Sequence, residues 1–192
     1  MKVVCIENDH SGCEASYLTV RSDSSVLRNN DNFYMPSFSQ KMVASVGYYL
    51  RVTRLAKCMS VKFASRCYDA VGVSVAFTAQ DVVERNCALG RPCDEAYCFD
   101  KSIALSPDML APDALGEGAL DIKIGNEFST EISVDNLREH LDSALTRASE
   151  LLTLKTGDIV YVAATQLPAK VAIGDVVEVE INKNRLLDFE VK

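Results

Sequence analysis

The chain has 192 residues, 48% of them hydrophobic and 24% charged, the make-up of a single globular domain spanning residues 1–192. Its 27 acidic side chains outnumber the 20 basic ones, and a net charge of −7 argues against nucleic acid, whose phosphates demand surplus Lys and Arg. No apolar run approaches the roughly 20 residues that span a bilayer, and MKVVCIENDH meets charge too early for a signal-peptide core, so a cytoplasmic protein without membrane contact is predicted.

In chain order, KVVCI predicts a short buried strand closed by the polar cluster Glu7-Asn8-Asp9-His10. Tyr17 to Val20 and Val43 to Val52 predict two more strands, separated by RNNDN and Pro36. Asp69 to Ala79 is valine-rich and predicts a strand entering the core, followed by a short helix or turn over Asp81 to Leu89 and the breaker Gly90-Arg91-Pro92. After an irregular stretch, Leu120 to Ile132 alternates around Gly125-Asn126, the signal for a two-residue hairpin turn. From Asp135 to Leu152 the residues Leu137, Leu141, Ala144, Leu145, Ala148, Leu151 and Leu152 recur at three- and four-residue steps and paint one face of a long helix, with His140 at its border. Two turns, Gly157-Asp158 and Gly174-Asp175, each open a β-branched run, and Leu186 to Val191 closes the chain as a strand. The predicted class is α+β, mostly β, with one long amphipathic helix.

Cysteine and charge placement add to this. Seven cysteines, an odd number without C-x-x-C spacing, predict buried free thiols, and with only two histidines a structural zinc is disfavoured. Residues 33–68 carry no Asp or Glu but hold Lys41, Arg51, Arg54, Lys57, Lys62 and Arg66. That stretch predicts either solvated strand edges protected by positive charge or a surface that binds an anion or a partner.

The run TLKTGDIVYVAAT, then IGDVVEVEI, then LLDFEV after one amphipathic helix resembles the fumarylacetoacetate hydrolase family, which places two G-D turns and a closing strand in that order. Upstream, GRPCDEAYCFDKSIALSP is similar to the family's G-x-P…K-x-F-D segment, GVSVAFTAQD to its N-D strand, KVVCIEN to its first strand, and SYLTVRSDSSVL to its P-x-x-F-x-K-P stretch. The resemblance implies a mixed β-sandwich roll, a homodimer, and a divalent Mg, Mn or Ca ion that grips a keto or diketo acid for C–C hydrolysis, decarboxylation or isomerisation. Such chemistry needs a Lewis acid for the enolate charge, and a hard cation needs several oxygen ligands.

At the implied metal positions this sequence carries Ala44, Val46 and Thr78, with Ala76 as the alternative third position, and Tyr97 stands where the family has lysine, although Asp100 is kept. The T-G-T-P loop corresponds to Ala163-Ala164-Thr165-Gln166, and the H-x-x-E pair to His10 and Glu14 at one residue wider spacing. No resident metal is therefore expected. Two readings follow. The first is a fold-retaining protein without the metal-dependent reaction, a binding or supporting subunit that pairs with itself or an active relative and holds an anionic small molecule through Arg21, Lys41, Arg51 or Arg54. The second is an enzyme with a rebuilt site: His10 as base, Glu14 as orienter, Asn8, Tyr97, Thr165 and Gln166 on substrate, and Asp81, Glu84 and Asp100 as the acids near enough for a displaced metal.

Overall fold

The structure, a computed structural model, describes residues 1–7, 17–112, 119–133, 136–165 and 168–192. Strand β1 (Lys2–Glu7) pairs antiparallel with β2 (Tyr17–Ser22) and parallel with β9 (Ile159–Ala163). Beyond β9 lie β4 (Met42–Arg51), β5 (Val71–Ala79), β6 (Ile103–Leu105) and β3 (Val26–Leu27), in that order. The two ends of this sheet, β2 and β3, are joined by the single 3-10 turn Asp23–Ser25, so the sheet must curl until its edges meet. Hydrogen bonds across the closure agree: Arg21 of β2 donates to the Phe77 carbonyl of β5 and to the Ser102 carbonyl just before β6.

Curling gives the sheet an inside and an outside. Val3, Cys5, Tyr49, Ala76, Ile103, Leu105, Ile159 and Tyr161 pack together inside the roll. The alternate residues, among them Val4, Ala44, Val46, Tyr48, Val75 and Phe77, face outward into the main core. That core is closed by a second sheet and a helix. The second sheet runs β12 (Asn184–Glu190), β11 (Val176–Ile181), β7 (Ala119–Ile124), β8 (Phe128–Ser133). Phe77 of the roll stacks on Phe33 with centroids 3.8 Å apart and meets Phe189 of β12 edge-on at 6.2 Å. Burying side chains of this size contributes about 1.5–3 kcal/mol each, which makes this trio a main tie between the layers. The helix α3 (Leu137–Leu151) presents Leu137, Leu141, Ala144, Leu145 and Ala148 to the core.

Most predicted elements are present, and the departures have physical reasons. The expected solvated edge over residues 33–68 is not there: β4 lies between β9 and β5, is buried on both faces, and reads as one apolar run for that reason. Its Gly47 is demanded by close approach, since a Cβ there would stand 2.0 Å from the Val162 carbonyl oxygen. The hairpin between β7 and β8 uses three residues, 125–127, not two. Leu151 and His140 are exposed on α3, not part of its packed face or its border. The thiols divide: Cys5 and Cys67 are buried, Cys58 and Cys87 are exposed, and Cys93 and Cys98 are half-buried, while Cys13 lies outside the described residues. Too short to show a period, β3, β6 and β10 (Ala169–Lys170) were not predicted. No helix among the described residues is long and apolar enough to cross a membrane.

Candidate active site at the mouth of the roll

At one end of the roll β1, β5 and β9 finish while β2 and β4 begin, as their pairing directions require. Strand alternation carries the inner face to this mouth and places Glu7, Tyr17, Val43, Ser45, Thr78 and Ala163 around it. The helix α2 (Asp94–Tyr97) adds Tyr97, whose ring lies 6.3 Å from that of Tyr17. The opposite end is closed by Tyr49, whose hydroxyl donates to the Ser106 carbonyl at 2.8 Å.

The inner wall below the mouth is polar. Arg21 is wholly buried and spans the closure of the roll: its Nη1 donates to the carbonyls of Phe77 at 2.8 Å and Ser102 at 2.7 Å. Its Nη2 stands 3.6 Å from Oε1 of Glu7, an ion pair looser than a hydrogen bond, and Glu7 is itself buried. Nε and Nη2 of Arg21 and Oε1 of Glu7 have no hydrogen-bond partner among the described residues. Burial pushes the Glu7 carboxyl above the usual range, and the neighbouring guanidinium offsets this in part. Burial likewise raises the Cys5 thiol to about 12 and the hydroxyls of Tyr161, Tyr17 and Tyr97, with Glu7 adding to the tyrosine shifts. The result is a guanidinium whose charge is only partly cancelled, walled by phenols.

The predicted site residues separate into three groups. Tyr97 is at the mouth, and Arg21 lies below it on the inner wall, opposite Val3, engaged with backbone and Glu7 and not facing solvent. Thr165 is buried, and its hydroxyl accepts from the Val46 amide at 3.1 Å, so it ties the chain after β9 to β4. His10, Glu14, Asn8 and Gln166 lie outside the described residues.

The three implied metal positions do not converge. Thr78 pairs with Val43 and faces inward, whereas Ala44 and Val46 face outward into the main core. A one-residue shift exchanges the two faces of a strand, so the inward pair at this end of β4 is Val43 and Ser45. The three nearby acids are apart as well. Asp81, in α1 (Gln80–Ala88), accepts from the Ser39 hydroxyl at 2.7 Å and the Gln40 amide at 2.9 Å. Burial alone would raise the Asp81 carboxyl, but these donors outweigh it and hold it below the usual range. Glu84 pairs with Lys41 on the surface, and Asp100 is exposed in a turn.

The basic stretch is dispersed too: Lys41 immediately precedes β4 at the mouth, Arg51 ends it at the far end, and the Lys57 ammonium donates to the Glu150 carbonyl at the end of α3. At the far end Arg51 and Arg28 flank a cavity of about 190 Å³ over Tyr49. Glu7 is the site residue that sequence reading missed. It reads as the start of a polar loop, yet it keeps the period of Val3 and Cys5, which would have placed it on the inner face.

The sequence profile of the fumarylacetoacetate (FAA) hydrolase C-terminal family matches residues 7–191. The chain belongs to this family. Solved structures agree on the fold. Fumarylpyruvate hydrolase from Pseudomonas aeruginosa, determined with Mn2+ and pyruvate, superposes with a TM-score of 0.85 at 15% identity, covering 100% of this chain and 89% of that one. For 5-carboxymethyl-2-hydroxymuconate delta-isomerase from Mycobacterium smegmatis the TM-score is 0.85 at 13% identity, covering 99% and 78%. For 2-hydroxyhepta-2,4-diene-1,7-dioate isomerase from Mycobacterium marinum it is 0.80 at 14%, covering 99% and 73%. No curated protein matches the sequence.

The mouth can be tested for its fit to a divalent cation by its donors. The inward positions of β4 and β5 there are Val43, Ser45 and Thr78, and Glu7, the one inner-face carboxylate among the described residues, already faces a guanidinium. Among the described residues no group of three His, Cys, Asp or Glu side chains is placed to hold a metal. A hard cation wants several anionic oxygens, and a positive charge 3.6 Å from the one carboxylate opposes it, so the described residues do not fit such an ion.

Proposed function

We propose that this family member does not carry out the metal-dependent C–C bond reaction and instead binds a small carboxylate, of the keto-acid class, at the mouth of the roll. The observation that carries this reading is Arg21: a wholly buried guanidinium whose Nε and Nη2 have no hydrogen-bond partner among the described residues, Nη2 facing at 3.6 Å a carboxyl that burial biases toward its neutral form. Protonation of Glu7 leaves the pair with a net positive charge in a place that water reaches poorly, where a carboxylate gains most. The Tyr17 and Tyr97 hydroxyls, next to each other at the rim, supply donors to the same anion. On this reading the protein is a cytoplasmic single domain that acts as a homodimer or as a supporting partner of an active relative.

The second reading, a rebuilt enzyme acting on keto or diketo acids, is favoured by the same cluster, because phenols beside a carboxyl of raised pKa can move protons. Calorimetry with pyruvate and turnover assays with acylpyruvates and oxaloacetate separate the two. The expected result is pyruvate binding that is unchanged by EDTA, tightens as pH falls toward the range where Glu7 protonates, and weakens in Tyr97→Phe, with no chelator-sensitive turnover. Chelator-sensitive turnover, or pyruvate binding that appears only with Mn²⁺ or Mg²⁺, would overturn the proposal.

A further inference from the structure

A second chemical feature lies away from the inner wall of the roll, where α1 turns into α2. The Sγ atoms of Cys87 and Cys93 stand 3.7 Å apart, with Cys87 exposed and Cys93 half-buried. Backbone and side chains on both sides hold this approach. The helix α1 is terminated by Gly90 at φ +63, the left-handed conformation that glycine adopts without strain. The Leu89 amide returns to the Arg85 and Asn86 carbonyls, the Gly90 amide to that of Cys87 at 3.1 Å, and the Arg91 amide to that of Asn86 at 2.9 Å. Buried Asn86 then donates through Nδ2 to the Pro92 carbonyl and to Glu95 Oε1, both at 2.9 Å, and Arg85 Nη2 donates to the same Glu95 oxygen at 2.7 Å. The loop is thus clamped to both helices, and the two thiols are brought together before any bond forms.

We infer that Cys87 and Cys93 are a dithiol modification site that closes reversibly into a disulfide on reaction with a low-molecular-weight disulfide such as oxidised glutathione. The bond needs an S–S distance of about 2.05 Å, and the remaining separation is within reach of side-chain rotation at the exposed Cys87. In the first step the Cys87 thiolate attacks one sulfur of the glutathione disulfide; that S–S bond breaks, a mixed disulfide forms, and one glutathione leaves as thiolate. In the second, the Cys93 thiol loses its proton and its sulfur attacks that of Cys87, releasing the second glutathione. Two protein thiols are oxidised, one glutathione disulfide is reduced to two glutathione thiols, and the two protein protons end on them. Exposure assigns Cys87 the first attack, since its sulfur is open to the glutathione disulfide and that of Cys93 is half-buried; partial burial, the Cys87 thiol and the carboxylates of Asp94 and Glu95 also raise the Cys93 pKa, which makes closure faster at higher pH.

The test uses the full chain, incubated folded with oxidised glutathione, alkylated, and digested; trypsin leaves Cys87, Cys93 and Cys98 on one peptide because Pro92 blocks cleavage after Arg91. The expected product has lost two alkylatable thiols, carries label on Cys98 alone, and regains both thiols on reduction with dithiothreitol. Cys93→Ser should instead hold one glutathione on Cys87, and Cys87→Ser should leave Cys93 slow to react. Separate glutathione adducts on Cys87 and Cys93, a bond from either to Cys98, or both remaining alkylatable while Cys58 is modified would each overturn the inference.

Discussion

Two of the places where arginine meets carboxylates among the described residues have opposite settings. On the inner wall of the roll Arg21 and Glu7 are both sealed from water, 3.6 Å apart, with Arg21 donors that have no hydrogen-bond partner among the described residues. On the outer face of the second sheet Arg185 pairs with Glu178 at 2.6 Å, Glu180 at 3.0 Å and Asp188 at 3.1 Å, all partly or largely open to solvent. The outer contacts are shorter and more numerous, yet water screens them, and ion pairs of that kind contribute little to folding. The inner pair is poorly satisfied and costs desolvation on both sides, so its net contribution to stability is small even though removing one partner alone is costly. Distance alone would rank these two regions in the wrong order.

The largest expected effect comes from breaking the inner pair on one side. Arg21→Met removes the cation, leaves Glu7 buried without compensation, and strands the Phe77 and Ser102 carbonyls that Nη1 satisfies. We expect a loss of about 3–5 kcal/mol in a denaturant titration. Adding Glu7→Leu should restore the part of the loss that comes from the uncompensated carboxyl, because an apolar pair escapes that desolvation cost, and leave the part that comes from the two stranded carbonyls. The sign of the pH dependence sharpens the point. A carboxyl whose folded pKa is raised costs stability as pH rises from its unfolded value to its folded one; losing Arg21 raises Glu7 further, so the single variant's deficit should grow at pH above the range where the parent's Glu7 ionises, and the double variant's should not. A deficit in the double variant equal to that of the single one would show that packing, not charge, governs the site.

The same contrast explains what could be read from sequence. Strands β1, β4, β5, β9 and β11 and the helix α3 were legible because burial imposes a period or a continuous apolar run on them. The order of the two G-D turns identified the family, since each Asp has a local structural task. The inner wall was not legible to the same degree. Which residues face inward depends on register, and placing the implied metal positions at Ala44 and Val46 was one residue away from the inward pair Val43 and Ser45. Glu7 and Arg21 lie on the paired strands β1 and β2 but four positions apart in register, so only the length of the Arg21 side chain along the inner face brings them together, and nothing local in the sequence announces that.

An intermediate case lies at the first G-D turn, where Asp158 accepts from the Lys155 amide at 2.9 Å, the Lys2 amide at 3.0 Å and the Lys2 ammonium. It fastens the start of β1 to the turn before β9. Burial works against ionisation there, but the Lys2 ammonium and the two amides outweigh it and hold the carboxyl below the ordinary aspartate range. Asp158→Asn should cost about 1–2 kcal/mol at neutral pH, the modest size reflecting water's access to the Lys2 side. A depressed pKa contributes stability above the unfolded value and loses it as pH falls through the folded one, so parent and variant should converge in acid. Equal stability of the two at neutral pH would remove Asp158 from the set of fastenings.

The smallest effect is expected at Arg185. Its side chain contacts three carboxylates, and they raise its own pKa, so a count of contacts would rank it above Arg21. Exposure reverses that ranking, because the guanidinium and its partners are already well solvated in the unfolded chain and gain little by meeting. Arg185→Ala should therefore shift the denaturation midpoint slightly at low ionic strength and not at all in high salt, where the Debye length falls below the spacing of the acidic side chains. The relevant spacing is across the sheet: Asp121 opposes both Glu131 and Glu180, so removing the arginine leaves like charges facing each other. If the midpoint instead falls as far as it does for Arg21→Met, and salt does not recover it, the difference drawn between buried and solvated pairs in this protein fails.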